Sequence, residues 1–95
     1  MPSRHQIHCV QRSDLMNHDR RIRQIGGVNA DGSRWLISEA AAIAGIEEGR
    51  WGFYISETGQ VREVVVATSL YGGKYIKAED DGLHPDGLLS LPECR

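Results

Sequence analysis

Gly26 to Gly49 reads GGVNADGSRWLISEAAAIAGIEEG, and it contains the one segment of the chain whose residues predict a helix. Ser38 is placed to cap it, because a serine hydroxyl accepts a bond from an otherwise unpaired first-turn N–H. Glu39 follows where negative charge favours the positive end of the helix dipole. Ala40, Ala41, Ala42 and Ala44 have the highest helix propensity, and Gly49 sits where a left-handed C-terminal residue is wanted. At about 100° per residue, Ile43 and Ile46 share a face flanked by Ala40 and Ala42. A helix of roughly ten residues is marginal alone in water, so it must dock, and its alanines allow close docking. Just upstream, Asn29-Ala30-Asp31-Gly32 is turn chemistry. It separates a strand ending at Val28 from a short strand over Ser33–Ile37, and together they predict a hairpin feeding the helix.

Working outward, His5 to Arg12 alternates, with Ile7 and Cys9 on one face and His8 and Val10 on the other, and predicts one strand. Ser13 to Asp19 is a polar connection. Arg20 to Val28 predicts a second strand, in which Ile22 and Ile25 lie three apart and suggest a bulge. Gly26 and Gly27 then relax the backbone. Beyond the helix, Trp51 to Ser56 places Trp51, Phe53 and Ile55 on one face. Glu57-Thr58-Gly59 is a short hairpin connection. Val61 to Ser69 carries Val64, Val65 and Val66 in a row, which predicts a central strand covered on both faces. Tyr71-Gly72-Gly73 turns into Lys74–Lys77, whose lysines at both ends mark a guarded edge. The remaining tail mixes Gly, Pro and Asp with Leu83, Leu88, Leu89 and Leu91, and should pack across the body as irregular chain. The order β-β-β-α-β-β-β, with short connections, predicts an α+β fold. Its expected form is a mainly antiparallel sheet of five to six strands packed by one short helix.

Ninety-five residues make a single domain, 1–95. The net charge of −2 directs the chain to neither nucleic acid nor membrane. The N-terminus MPSRHQIHCVQR lacks the apolar stretch of a signal peptide, and no apolar run approaches the ~20 residues of a membrane span. A cytoplasmic protein is expected, with Cys9 and Cys94 as two reduced thiols, the alternative being a contact in which the two thiols are buried side by side. Charge is uneven along the chain. Residues 1–23 hold five arginines against two aspartates, while residues 78–95 hold five acidic residues against one arginine. The ends are complementary and expected to lie near one another.

Gly26-Gly27, Asp31-Gly32 with Trp35, Ile43/Ile46/Gly49, Phe53-Tyr54-Ile55, Val64–Ala67, Lys74–Lys77, Asp81-Gly82 and the closing Leu88-Leu89-Ser90-Leu91-Pro92-Glu93-Cys94 resemble the DUF3892 family of small bacterial proteins. The resemblance covers most of the chain, and the closing motif is its most specific part. Gly87 departs from it, standing where the family pattern usually has asparagine before the leucine pair. The resemblance implies a bacterial, soluble, single-domain protein of unknown function, and it carries no catalytic residues over.

The residues offer little chemistry. A zinc site from His5, His8, His18, Cys9, His84 and Cys94 fails on spacing. On a strand His8 and Cys9 face opposite ways, while His5 and Cys9 share a face about 13 Å apart. Cys94 lies in an acidic context that disfavours a thiolate, and no GxSxG elbow supports a serine nucleophile. Gly27 and Gly32 mimic a phosphate loop's glycine spacing, but Ser33 stands where the lysine is needed and a strand follows. No cofactor or metal is expected. Trp35 and Trp51, at either end of the helix, read as core staples. Glu47 and Glu48 oppose the helix dipole and are expected to meet an arginine of the 20–23 group. The expected role is a non-enzymatic protein-binding or adaptor module. Its partner would pair along Lys74–Lys77 beside Tyr71. The alternative is RNA or single-stranded DNA held by Arg20, Arg21 and Arg23, with Arg12 and Arg34 nearby and bases stacked on Tyr54, Tyr71 or Tyr75.

Overall fold

The hairpin and the capped helix are both present in the computed structural model, which describes residues 3–12, 22–57, 59–68, 72–81 and 86–94. Among these residues the chain forms β1 (Ser3–Gln6), β2 (Cys9–Arg12), β3 (Ile22–Val28), β4 (Arg34–Ser38), α1 (Glu39–Glu47), β5 (Trp51–Glu57), β6 (Gln60–Thr68), β7 (Lys74–Ala78) and α2 (Asp86–Leu89). The α+β class and the dominance of antiparallel pairing hold. The strands divide, however, into a four-stranded sheet, β1-β5-β6-β7, and a three-stranded sheet, β2-β3-β4.

The division falls inside the segment expected to be one strand. Ile7 N–H donates to Tyr54 O at 2.9 Å in the larger sheet, and the next residue, His8, donates to Gly26 O at 2.8 Å in the smaller one. The chain changes partners across one peptide. Alternation reports an extended backbone, but it carries no information about which strand is alongside. β1 consequently runs parallel to β5, far from it in sequence, whereas the remaining strand pairs are antiparallel.

The bulge is where the isoleucine spacing put it. Arg12 faces Ile22 and Gln11 faces Gln24, leaving Arg23 as the extra residue of β3. That extra residue lets Ile22 and Ile25, three apart, both reach the core. Ser38 caps α1, its Oγ accepting from Ala41 N–H at 3.1 Å, and Gly49 adopts φ 74° just beyond the helix.

The helix buries Ala42 and Gly45, while Ile43 and Ile46 pack half-buried at the rim of the core. α1 touches strands of both sheets, so its tightest approach falls on its smallest residues. A Cβ on Gly45 would lie 2.0 Å from Trp51 Cε3. Around this seam Ile7, Val10, Ile22, Ile25, Phe53, Ile55, Val64, Ile76, Ala78 and Leu88 form one buried cluster. Trp35 and Trp51 staple it, their rings 5.7 and 6.3 Å from that of Phe53.

β6 lies inside its sheet, as its valines predict, with Val64 buried and Val65 and Val66 half-buried. β7 is an edge, also as expected. The tail crosses the body after one short helix, with Leu88 fully buried and Leu89 and Leu91 packed against the core. The two helix-end glutamates find partners other than those anticipated. Glu47 pairs with Lys74 at 2.6 Å, because the C-terminal end of α1 faces β7, and Glu48 pairs with Arg50 at 3.5 Å.

Candidate functional site

The three-stranded sheet has one face on the core and one face outward, and its register sorts the residues. Val10, Ile25 and Ile37 stand opposite one another and point inward; Cys9, Gly26 and Leu36 do the same on the outer face. Gly26 and Gly27, expected to loosen the backbone, are regular members of β3 that leave room on opposite faces. A Cβ on Gly27 would lie 2.4 Å from Gln6 O and 2.6 Å from the Trp35 ring. One on Gly26 would lie 2.9 and 3.0 Å from the sulfurs of Cys9 and Cys94. The pair is a steric necessity on both sides.

Those two sulfurs are joined. The expectation of two reduced thiols gives way to a Cys9–Cys94 disulfide with a Cα–Cα distance of 4.9 Å. The tail puts Cys94 there by running beside β2. Val10 N–H donates to Pro92 O and Cys94 N–H donates to Val10 O, each at 3.0 Å. Arg12 closes the arrangement, donating to Leu89 O, to Leu91 O at 3.1 Å and to Glu93 Oε1 at 3.3 Å. The Arg12–Glu93 contact joins the basic and acidic ends, as their charge predicts. Beside the disulfide a shallow cleft of about 380 Å³ opens on the outer face, lined in part by His8, Cys9, Arg34, Leu36, Glu93 and Cys94.

Along this face Val28 and Leu36 are 46% and 48% exposed, among the most exposed large apolar side chains described. β4 is also the outer strand of its sheet. Asn29 N–H donates to Ser33 O at 2.7 Å across the turn. Val28–Arg34 is therefore a non-hydrogen-bonded pair, and by alternation so is Gly26–Leu36. The backbone N–H and C=O of Arg34 and Leu36 point away from β3, and among the described residues nothing pairs with them.

The residues singled out by sequence are dispersed. Arg20, Arg21 and Tyr71 lie outside the described residues. Arg23 is exposed at the bulge. Lys74 binds Glu47, and Lys77 Nζ donates to Asp81 O at 2.8 Å. Of the proposed stacking rings, Tyr75 is buried and Tyr54 lies under Arg4, 4.6 Å from its ring centroid. Arg4 in turn is paired with Glu63.

Behind β7, Arg62 holds Asp80 at 2.7 Å and Asp81 at 2.6 Å. Hydrogen bonding to Arg62 lowers the Asp80 pKa, and these same bonds raise that of Arg62. Bonds from Ser33 lower that of Asp31 in the hairpin turn. A second cleft, about 160 Å³, lies over His5, Trp35, Trp51 and Phe53 at the sheet junction. Among the described residues no three His, Cys, Asp or Glu side chains are grouped to hold a metal, and no helix is long and apolar enough to cross a membrane.

Sequence reasoning overlooked the disulfide cleft and the β4 edge. The signal for the first was the coincidence of Gly26 with cysteines near complementary chain ends. The signal for the second was Leu36, an apolar residue on the outward parity of a short strand.

A family described as a protein of unknown function, DUF3892, matches residues 6–92 of the chain. No curated protein and no solved structure matches it.

Proposed function

This chain belongs to the DUF3892 family, and we propose that it acts as a protein-binding module that takes an extended partner segment along the outer edge of β4. The observation that carries this reading is the outward, unpartnered backbone of Arg34 and Leu36. An edge strand with free N–H and C=O groups is a template for another strand, and main-chain bonds supply the affinity. Leu36 and Val28 add an exposed apolar strip beside that edge, where alternate side chains of an added strand find contact. The Lys74–Lys77 edge is the weaker candidate for the same mode. Both of its lysines are engaged within the chain, and Ala78 N–H donates to Asp81 Oδ2 at 3.3 Å.

The test is affinity capture with and without nuclease, comparing the unaltered chain with Leu36→Pro and with an Arg20/Arg21/Arg23→Ala triple variant. Leu36→Pro removes an outward donor and no bond to β3. Proteins retained by the unaltered chain and by the triple variant, but lost on Leu36→Pro, support strand addition. Recovery of nucleic acid that disappears with the triple variant, weakening steeply from about 50 to 200 mM salt, would move the assignment to phosphate binding. Retention unchanged by Leu36→Pro overturns the β4 reading.

A further inference from the structure

We propose that the Cys9–Cys94 disulfide is a thiol-exchange site for a dithiol reductant, and that its reduction frees the C-terminal segment from β2. This inference stands apart from the β4 reading, since it concerns the opposite edge of the small sheet. The segment after α2 is held lightly. Ser90, Pro92 and Glu93 are exposed, and Leu91 and Cys94 only half-buried. Its ties to β2 are the two Val10 backbone bonds, the Arg12 contacts and the covalent link. Upstream, fully buried Leu88 anchors α2, so a release that begins at Cys94 stops there. Both cysteines line the open cleft of the outer face, where a thiolate has access.

The chemistry balances without any other reactant. One thiolate of the dithiol attacks one sulfur of the pair, forming a mixed disulfide and expelling the other sulfur as a thiolate. The second thiolate of the reductant then attacks the mixed disulfide. Cys9 and Cys94 end as thiols, the dithiol leaves as a disulfide, and two electrons and two protons have moved. Reducing compartments maintain such dithiols, whereas oxidising ones preserve the bond. The structural consequence lies at Val10. Its N–H and C=O lose Pro92 O and Cys94 N–H, so β2 becomes an open edge.

Hydrogen exchange on the full chain, oxidised and then reduced with dithiothreitol, tests this. The Val10 and Cys94 amides should exchange at least about tenfold faster after reduction, while those of Ile55 and Val64, bonded between β5 and β6, change by less than about twofold. A Cys9→Ser/Cys94→Ser variant should show the reduced pattern without reductant. Unchanged exchange at Val10 would mean that the Val10 backbone bonds and Arg12 keep the segment seated without the covalent link, and would overturn the proposal. A common rise at all four amides would overturn it too, by making the bond a staple for the whole fold. So would alkylation showing two free thiols in protein equilibrated with glutathione disulfide.

Discussion

The four-stranded sheet ends on β7 and the three-stranded sheet ends on β4, and the two edges are finished differently. Beside β7, Lys74 reaches Glu47 on α1, Lys77 bonds Asp81 O, and Asp81 also accepts from Ala78 N–H. Arg62 on the neighbouring strand fixes Asp80 and Asp81. β4 has none of these ties, and its outward residues include the apolar Leu36. Edge strands invite unwanted pairing unless something blocks them. The difference teaches that β7 is tied down by polar contacts within the chain, whereas the outward backbone of β4 has no such ties among the described residues.

Truncation separates a core position from the outward face of β4 most strongly. Ile55, fully buried in β5, should cost about 2–5 kcal/mol on truncation to alanine. Leu36→Ala should stay within about 0.5 kcal/mol, as expected of a surface position. Urea unfolding of both variants measures this, and a Leu36→Ala loss above about 1 kcal/mol would mean the outer face is covered.

A second test separates the two faces of the small sheet. Gly27→Ala drives a methyl into Gln6 O and the Trp35 ring and should cost about 1–3 kcal/mol. Gly26→Ala meets the two sulfurs and also Trp35 O at 3.0 Å, so it should cost a similar amount. In a Cys9→Ala/Cys94→Ala background the Gly26 penalty should shrink and the Gly27 penalty should not. Equal penalties in both backgrounds would show that the sulfurs do not define the outer face.

Much of this arrangement is legible in the sequence, and the losses have a common physical origin. Ser38, Gly49, the Ile22/Ile25 bulge and the Phe53/Ile55 face are local signals, set by capping, φ preference and side-chain parity. Partner choice is not local. The extended run from His5 to Arg12 looks the same whether it serves one sheet or two, and only long-range hydrogen bonds split it at Ile7–His8. The glycine pair misleads for the same reason, since what excludes a Cβ is Trp35 on one side and Cys94 on the other. Glu47 finds Lys74 rather than an arginine because α1 lies across both sheets. Charge complementarity of the ends, which is a global property, did carry over into the Arg12–Glu93 contact.

On the closed side of the comparison, acid should loosen the Arg62 link. Asp80 has its folded pKa lowered from 3.8, chiefly by the Arg62 hydrogen bond. A carboxylate with a depressed folded pKa contributes stability above its ordinary value and loses it as pH falls through the folded one. The contribution should therefore be intact at neutral pH and fade below about pH 4. Urea midpoints recorded from about pH 6 to pH 2 should fall less steeply in Arg62→Met than in the unaltered chain. Equal slopes would mean that the link adds nothing to closure of that edge.

The smallest expected effect is the most discriminating. Leu36→Pro places a ring where an N–H points away from β3, so no ladder bond is lost. The preceding residue, Trp35, is already extended, which is the conformation proline demands of its predecessor. Stability should consequently change by no more than about 0.5 kcal/mol, the range of an unremarkable surface substitution. Ile37→Pro, one residue on, removes a donor from the β3–β4 ladder and leaves a carbonyl of Ile25 without its partner. It should cost upwards of about 2 kcal/mol. If the two prolines were equally harmful, the outward groups of Leu36 would already be paired, and β4 would be as closed an edge as β7. If only Ile37→Pro is harmful, the strand has one bonded side and one vacant side, as addition of a partner strand requires.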